Sequence, residues 1–136
     1  MKVLWFSVTP SLFHSYSNGH NGGGWIASLE RIVRQVQEVE LGIAFNFAAE
    51  GFVYEQDGVK YYPISHESLE TYKQIIDDFK PDLIQIFGSE NDFGRICDTT
   101  EVPVVIHMQG CLPPYHNALL PVGMSKTDFI LQKGLS

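Results

Sequence analysis

The sequence predicts a doubly wound α/β domain with a mostly parallel sheet and helices on both faces. Two observations predict it: short apolar runs of strand length alternate with segments of helical apolar spacing, and the first run is continuous rather than alternating. That run, Val3 to Val8, is rich in β-formers and suits a strand buried on both faces at the centre of a parallel sheet. Thr9-Pro10 ends it, and a long polar stretch with scattered aromatics leads to Asn18-Gly19-His20-Asn21-Gly22-Gly23-Gly24-Trp25. Loops of this length inside a domain are often functional. Four glycines there leave amide N–H groups clear of side chains, and the first amides of the helix that follows lack intrahelical partners, so a phosphate or carboxylate fits on bare backbone.

From Gly24 to about Glu38 the apolar residues Trp25, Ile26, Leu29, Ile32, Val33 and Val36 recur at three and four, while Ser28, Glu30, Arg31, Arg34, Gln35 and Gln37 face the other way. Leu41, Ile43, Phe45 and Phe47 then alternate with small residues, the period of a second strand. Glu50-Gly51 and Gln56-Asp57-Gly58 flank Phe52–Glu55 and Val59–Pro63, predicting a hairpin or third strand whose aromatics, Phe52, Tyr61 and Tyr62, serve packing. Ser65 is placed to cap a helix with Leu69, Tyr72, Ile75, Ile76 and Phe79 on one side, stopped by Lys80-Pro81-Asp82. Leu83–Phe87 is a strand, Gly88–Asp92 a loop, Phe93–Cys97 a short helix that Asn91 or Asp92 caps, and Val102–Met108 a final strand. The domain spans residues 1–110, and 111–136 read as loop and partial helix.

Composition narrows the function. A chain of 136 residues with 44% hydrophobic and 18% charged residues folds as one domain. Sixteen Asp plus Glu against nine Lys plus Arg give a net charge of -7 without a basic cluster, which argues against nucleic acid as a partner. Cys97 and Cys111 form neither a disulfide scaffold nor a CxxC motif and are expected as reduced thiols. The apolar N-terminus is too short for a signal peptide, and no stretch reaches bilayer-spanning length. The expectation is a cytoplasmic domain, with peripheral contact at the inner membrane face allowed.

Three stretches, in this order and spacing, resemble the N-terminal domain of GT-B glycosyltransferases of the family 4-like group (glycosyl transferases group 1). They are the Gly22-Gly23-Gly24 loop before an amphipathic helix, Pro81-Asp82-Leu83-Ile84-Gln85-Ile86-Phe87-Gly88-Ser89-Glu90, and Val102-Pro103-Val104-Val105-Ile106-His107-Met108-Gln109-Gly110. The resemblance covers about four fifths of the chain and implies one Rossmann-like half of a GT-B fold. It implies a retaining enzyme that moves a sugar from a nucleotide-sugar co-substrate, without a metal, to a saccharide or lipid-linked acceptor in surface polysaccharide or glycolipid synthesis. Such enzymes hold the donor largely in a second, C-terminal domain, expected here beyond Ser136, so the isolated piece is expected to be inactive.

On that resemblance Gly22, Gly23 and Gly24 approach the donor diphosphate, and Glu90, His107, Gln109, Gly110 and His20 contact acceptor or sugar. Gln109 stands where the family often has His; it donates and accepts hydrogen bonds but does not exchange protons near neutrality, so no catalytic residue is assigned in this domain. His107 lies two residues earlier, nearer the core, where a buried hydrogen-bonded histidine and a site contact are equally compatible with the sequence. His14 and His20 read first as solvated histidines, and the five histidines show no metal-ligand spacing. The competing reading is a self-contained flavodoxin-like or nucleotide-binding module without catalysis. Gly22-x-Gly24-x-x-Ala27 also fits the dinucleotide fingerprint, with Glu50 as a ribose ligand, but the long loop after Val8 speaks against it.

Overall fold

The computed structural model describes residues 1–13, 24–47, 53–89, 91–108, 125 and 127. Among these residues six strands form one sheet: β1 (Lys2–Ser7), β2 (Glu40–Asn46), β3 (Tyr54–Gln56), β4 (Val59–Ile64), β5 (Leu83–Phe87) and β6 (Val104–His107). Among the described residues, two α-helices, α1 (Trp25–Val33) and α2 (Leu69–Phe79), and a 3-10 helix over Asp92–Asp98 pack with the sheet. The sheet order is β3-β4-β2-β1-β5-β6, parallel except for β3, which forms an antiparallel hairpin with β4 through Asp57-Gly58. Both turn residues take positive φ, 51° and 77°, the backbone that a two-residue hairpin matching strand twist requires.

Strand β1 is central, as its continuous apolar run predicts, pairing in parallel with β2 and β5. Its side chains alternate between two cores. Leu4 and Phe6 join Ala44, Tyr62, Ile84 and Ile86 under α2 and the 3-10 helix, whose Tyr72, Ile75, Ile76, Phe79, Phe93 and Ile96 close that face. Val3 and Trp5 join Leu41, Ile43, Phe45, Tyr61 and Phe87, and Ile26 of α1 enters that second core with Leu29 and Val33 packed against it. Helices therefore sit on both faces, as expected when right-handed crossovers leave β1 in one direction and approach β5 from the other.

The link from β2 to β4 carries no helix among the described residues. Phe13, from the segment after β1, lies instead among Phe45, Phe47, Tyr54 and Tyr61 at centroid distances of 5.0–6.3 Å, an aromatic cluster over the part of the sheet that α1 does not reach. The small residues predicted along β2 have a packing cause: a Cβ on Gly42 would lie 2.9 Å from the Phe79 ring of α2.

Three local expectations are corrected. Helix α1 ends at Val33, not near Glu38; residues 35–39 use i→i+3 bonds (Gln35 N to Ile32 O, Val36 N to Val33 O), because the chain must turn back for Glu40 N to reach Met1 O at the start of β2. Ser68, not Ser65, caps α2, its Oγ accepting from Thr71 N at 3.1 Å, since 65–67 are needed to leave β4. Asn91 occupies the cap position of the 3-10 helix but makes no side-chain cap bond, while Asp92 pairs with Arg95.

Two outcomes follow from this packing. Gly42→Ala forces a methyl group into the Phe79 ring and lowers unfolding free energy by about 1–3 kcal/mol in urea titrations. The Tyr62 hydroxyl donates to Asp78 Oδ2 at 2.6 Å, and this bond, helped by Lys60, holds the Asp78 carboxyl below its ordinary value. A depressed carboxylate stabilises the fold above its ordinary pKa and loses that contribution as pH falls through the lowered value. Tyr62→Phe therefore costs at most about 1 kcal/mol at neutral pH, because Asp78 is half-exposed, and thermal melts of the two proteins converge on acidification.

Candidate functional site

Counting only the parallel strands, the order is 3-2-1-4-5, and the connections reverse direction between β1 and β5. In open α/β sheets this switch point, at the carboxyl ends of the strands, is where ligands bind. Four described segments meet there: the end of β1 with residues 8–13, the start of α1, the end of β5 with Gly88 and Ser89, and the end of β6.

The exit from β1 is tightly tied. Ser7 Oγ accepts from Thr9 N at 3.1 Å, Phe13 N donates to Pro10 O at 3.1 Å, and Ser11 sits at φ 54°, a left-handed conformation that costs a residue with a Cβ about 1–2 kcal/mol. The restraint that holds it comes from Glu30, which is fully buried. Glu30 Oε1 accepts from Arg34 Nε at 2.8 Å, from Arg34 Nη2 at 2.5 Å and from the Tyr61 hydroxyl, while Oε2 accepts from Leu12 N at 3.0 Å. Arg34 continues to Asp57 at 3.0 Å in the hairpin turn. Burial, then the Glu30 carboxylate, push the Tyr61 phenol well above its ordinary range, so it stays a donor. Glu30 therefore lies inward, against the expectation that it faces solvent with the polar side of α1. A helical pattern cannot signal it, because the partners that make its burial possible, Leu12 and Tyr61, are distant in sequence.

Helix α1 opens on Gly24 at φ 53°, with no side-chain cap and no acidic residue in its first turn. A Cβ on Gly24 would meet no atom within 4 Å, so glycine is required there by backbone conformation and not by crowding. Gly88 leaves β5 at φ 95°, and its N–H donates to His107 O at 2.9 Å, locking the ends of β5 and β6 together. His107 pairs in register with Phe87, and Trp25 contacts both rings, at 5.0 Å from His107 and 5.3 Å from Phe87. The start of α1 is thereby fixed beside the ends of β5 and β6.

Of the sequence-predicted site residues, Gly24 and His107 are brought to this edge. His107 is exposed, which removes the buried-histidine alternative, and it lies on β6, the edge strand. Gly22, Gly23, His20, Glu90, Gln109 and Gly110 lie outside the described residues, as do His14, Glu50, Phe52 and Cys111. Trp25 was read only as part of the apolar stripe of α1, yet it is 44% exposed. Its place as the first residue after the glycines was the one signal that set it apart. Cys97 is an exposed thiol in the 3-10 helix.

A cleft of about 320 Å³ lies on the opposite face of the sheet, between α2 and the β3–β4 edge, lined by Val53, Tyr62, Pro63, Thr71, Gln74, Ile75 and Asp78. Its one charged lining group, Asp78, is already held by Tyr62 and Lys60, so nothing in it grips an anion. Among the described residues no cluster of His, Cys, Asp or Glu could hold a metal, and no helix is long and apolar enough to cross a membrane.

Strand order and two-sided helix packing define a Rossmann-like α/β domain. Comparison with protein-family models, curated proteins and solved structures finds no match to this chain.

Because Glu30 ties residues 11–13 to α1, Glu30→Ala should lower stability by about 3 kcal/mol, leaving Arg34 and the Leu12 amide without their acceptor. Hydrogen exchange at Leu12 should rise more than at the amides of β2, which a uniform loss of stability would not produce.

Proposed function

We propose that this chain forms the acceptor-side half of a retaining, nucleotide-sugar-dependent glycosyltransferase that works with a second α/β lobe, at the cytoplasmic side of a membrane or in the cytoplasm. The single observation that carries the reading is the glycine-led, uncapped start of α1 held by ring contacts beside the carboxyl ends of β5 and β6. First-turn amides and the helix dipole supply positive potential without a side-chain cation or a metal. That suits the stabilisation of a diphosphate leaving group presented from across a cleft.

The roles follow from the chemistry of each group. Gly22, Gly23 and Gly24 face the donor diphosphate with backbone N–H groups. His107, Gln109, Gly110, Glu90 and His20 hydrogen-bond sugar and acceptor hydroxyls, the acceptor being a saccharide or a lipid-linked saccharide. No group of this half is assigned as a nucleophile or proton donor, and the donor's nucleotide is gripped by the second lobe. Residues 1–136 by themselves are then inactive.

The test uses the protein made from the whole reading frame that contains residues 1–136, incubated with labelled UDP-, GDP- and ADP-sugars and a lipid extract. Label should move to an acceptor without added metal. Gly23→Asp, which sets a negative charge where phosphate sits, should cut turnover by about 100-fold or more while the melting temperature stays near wild type. Parallel losses of turnover and stability would mark the glycines as a structural turn, and turnover by residues 1–136 alone would refute the division of labour.

A further inference from the structure

Trp25 rests against buried rings and is still 44% exposed. Its ring meets Phe87 nearly edge-on, at 5.3 Å and 75°, and Phe87 is in turn met edge-on by Trp5 at 5.1 Å and 85°. Trp5 and Phe87 are buried core residues, so the indole rests on rings that packing holds still. Beside it, His107 lies 5.0 Å away at 39° and is itself exposed. An indole normally buries most of its surface. Here it stays exposed at the switch point, on buried rings, with the His107 imidazole tilted against it.

The geometry points to Trp25 as a stacking platform for a pyranose ring, with His107 hydrogen-bonding the hydroxyls at the edge of that ring. The inference rests on the reading of this edge as the acceptor side of a sugar-transferring site, and it names the residues and the ligand chemistry. A pyranose presents a flat array of C–H bonds that packs on an aromatic face and a rim of hydroxyls that needs neutral hydrogen-bonding groups. A nucleotide asks for more than a ring face: a partner for its phosphate, which at this edge is backbone N–H at the start of α1 and not Trp25 or His107. From residue 3 to residue 30 the chain holds no Lys or Arg, and the basic residues of the α1 region, Arg31 and Arg34, come at its far end. Arg34 is also engaged by Glu30 and Asp57. The Trp25–His107 pair itself therefore offers an apolar ring face and a hydrogen-bonding group and no side-chain cation, which matches a neutral pyranose.

The chain has two tryptophans, and Trp5 is 2% exposed, so their indole N–H resonances separate a surface event from a global one. Residues 1–136 are titrated with the methyl glycosides of glucose, galactose, mannose and N-acetylglucosamine, and in parallel with UMP and GMP. The Trp25 resonance should shift saturably with at least one glycoside while that of Trp5 stays in place. Trp25→Ala should weaken that glycoside about tenfold or more, Trp25→Phe should keep part of the affinity, and His107→Ala should weaken it with partial recovery in His107→Gln. The phenylalanine and glutamine variants keep the test valid should Trp25→Ala fail to fold.

Absence of a shift with every glycoside, equal affinity in Trp25→Ala, or a response to the nucleotides in place of the glycosides would overturn the platform. Glycoside binding that depends on Trp25, without sugar transfer by the whole protein, would keep the platform and defeat the transferase reading. Transfer that ignores Trp25 substitution would do the reverse.

Discussion

With β2 along one edge and β5 along the other, both parallel to it, β1 leaves no edge for solvent and no face uncovered. Burial of Leu4 and Phe6 on one side and of Val3 and Trp5 on the other fixes its register, because a slip of one residue would exchange the two cores. Parallel neighbours need crossovers, and crossovers of one hand leaving a central strand in opposite directions place helices on opposite faces. The switch point at the carboxyl ends of β1 and β5 is a consequence of that geometry. The strand order therefore reverses at the position where α/β sheets bind ligands before any particular side chain is considered.

Around that position two kinds of restraint act. Glu30 is a charge taken out of water, tolerable because Arg34, Tyr61 and the Leu12 amide surround it with donors. Its effect is to fix the path out of β1 relative to α1 and the hairpin, through atoms far apart in sequence. The second restraint is apolar: Trp5, Phe87 and Trp25 form a column of edge-on rings from the sheet interior to the surface. One restraint sets where the chain leaves β1, the other where it enters α1, and between them lie the glycines of the motif.

Much of the fold was legible because it rests on local regularities. The continuous run at Val3–Val8 announced a doubly buried strand, Asp57-Gly58 announced the hairpin, and the large-small alternation along Leu41–Phe45 announced a strand with unequal faces. The errors have physical causes. Helical spacing put Trp25, Ile32 and Val36 on the core side, yet all three are exposed, Val36 because the helix ends at Val33. Spacing put Glu30 in solvent, because a pattern sees hydropathy and not the donors that arrive from Leu12 and Tyr61. Of the candidate site residues, Gly24 and His107 were singled out from their place before a helix and at the end of a strand, which is where the structure has them.

The sequence by itself determined which segments become strands and helices, that the sheet is mostly parallel, and that glycines stand at the entrance to the first helix, since each of these depends on residues within a few positions of one another. Only the tertiary structure decided that Gly42 must lack a side chain to admit Phe79, that Glu30 is buried, and that Trp25 meets Phe87 and His107 at the surface. Those outcomes depend on contacts between residues tens of positions apart, and such contacts exist only once β1 has taken its place at the middle of the sheet.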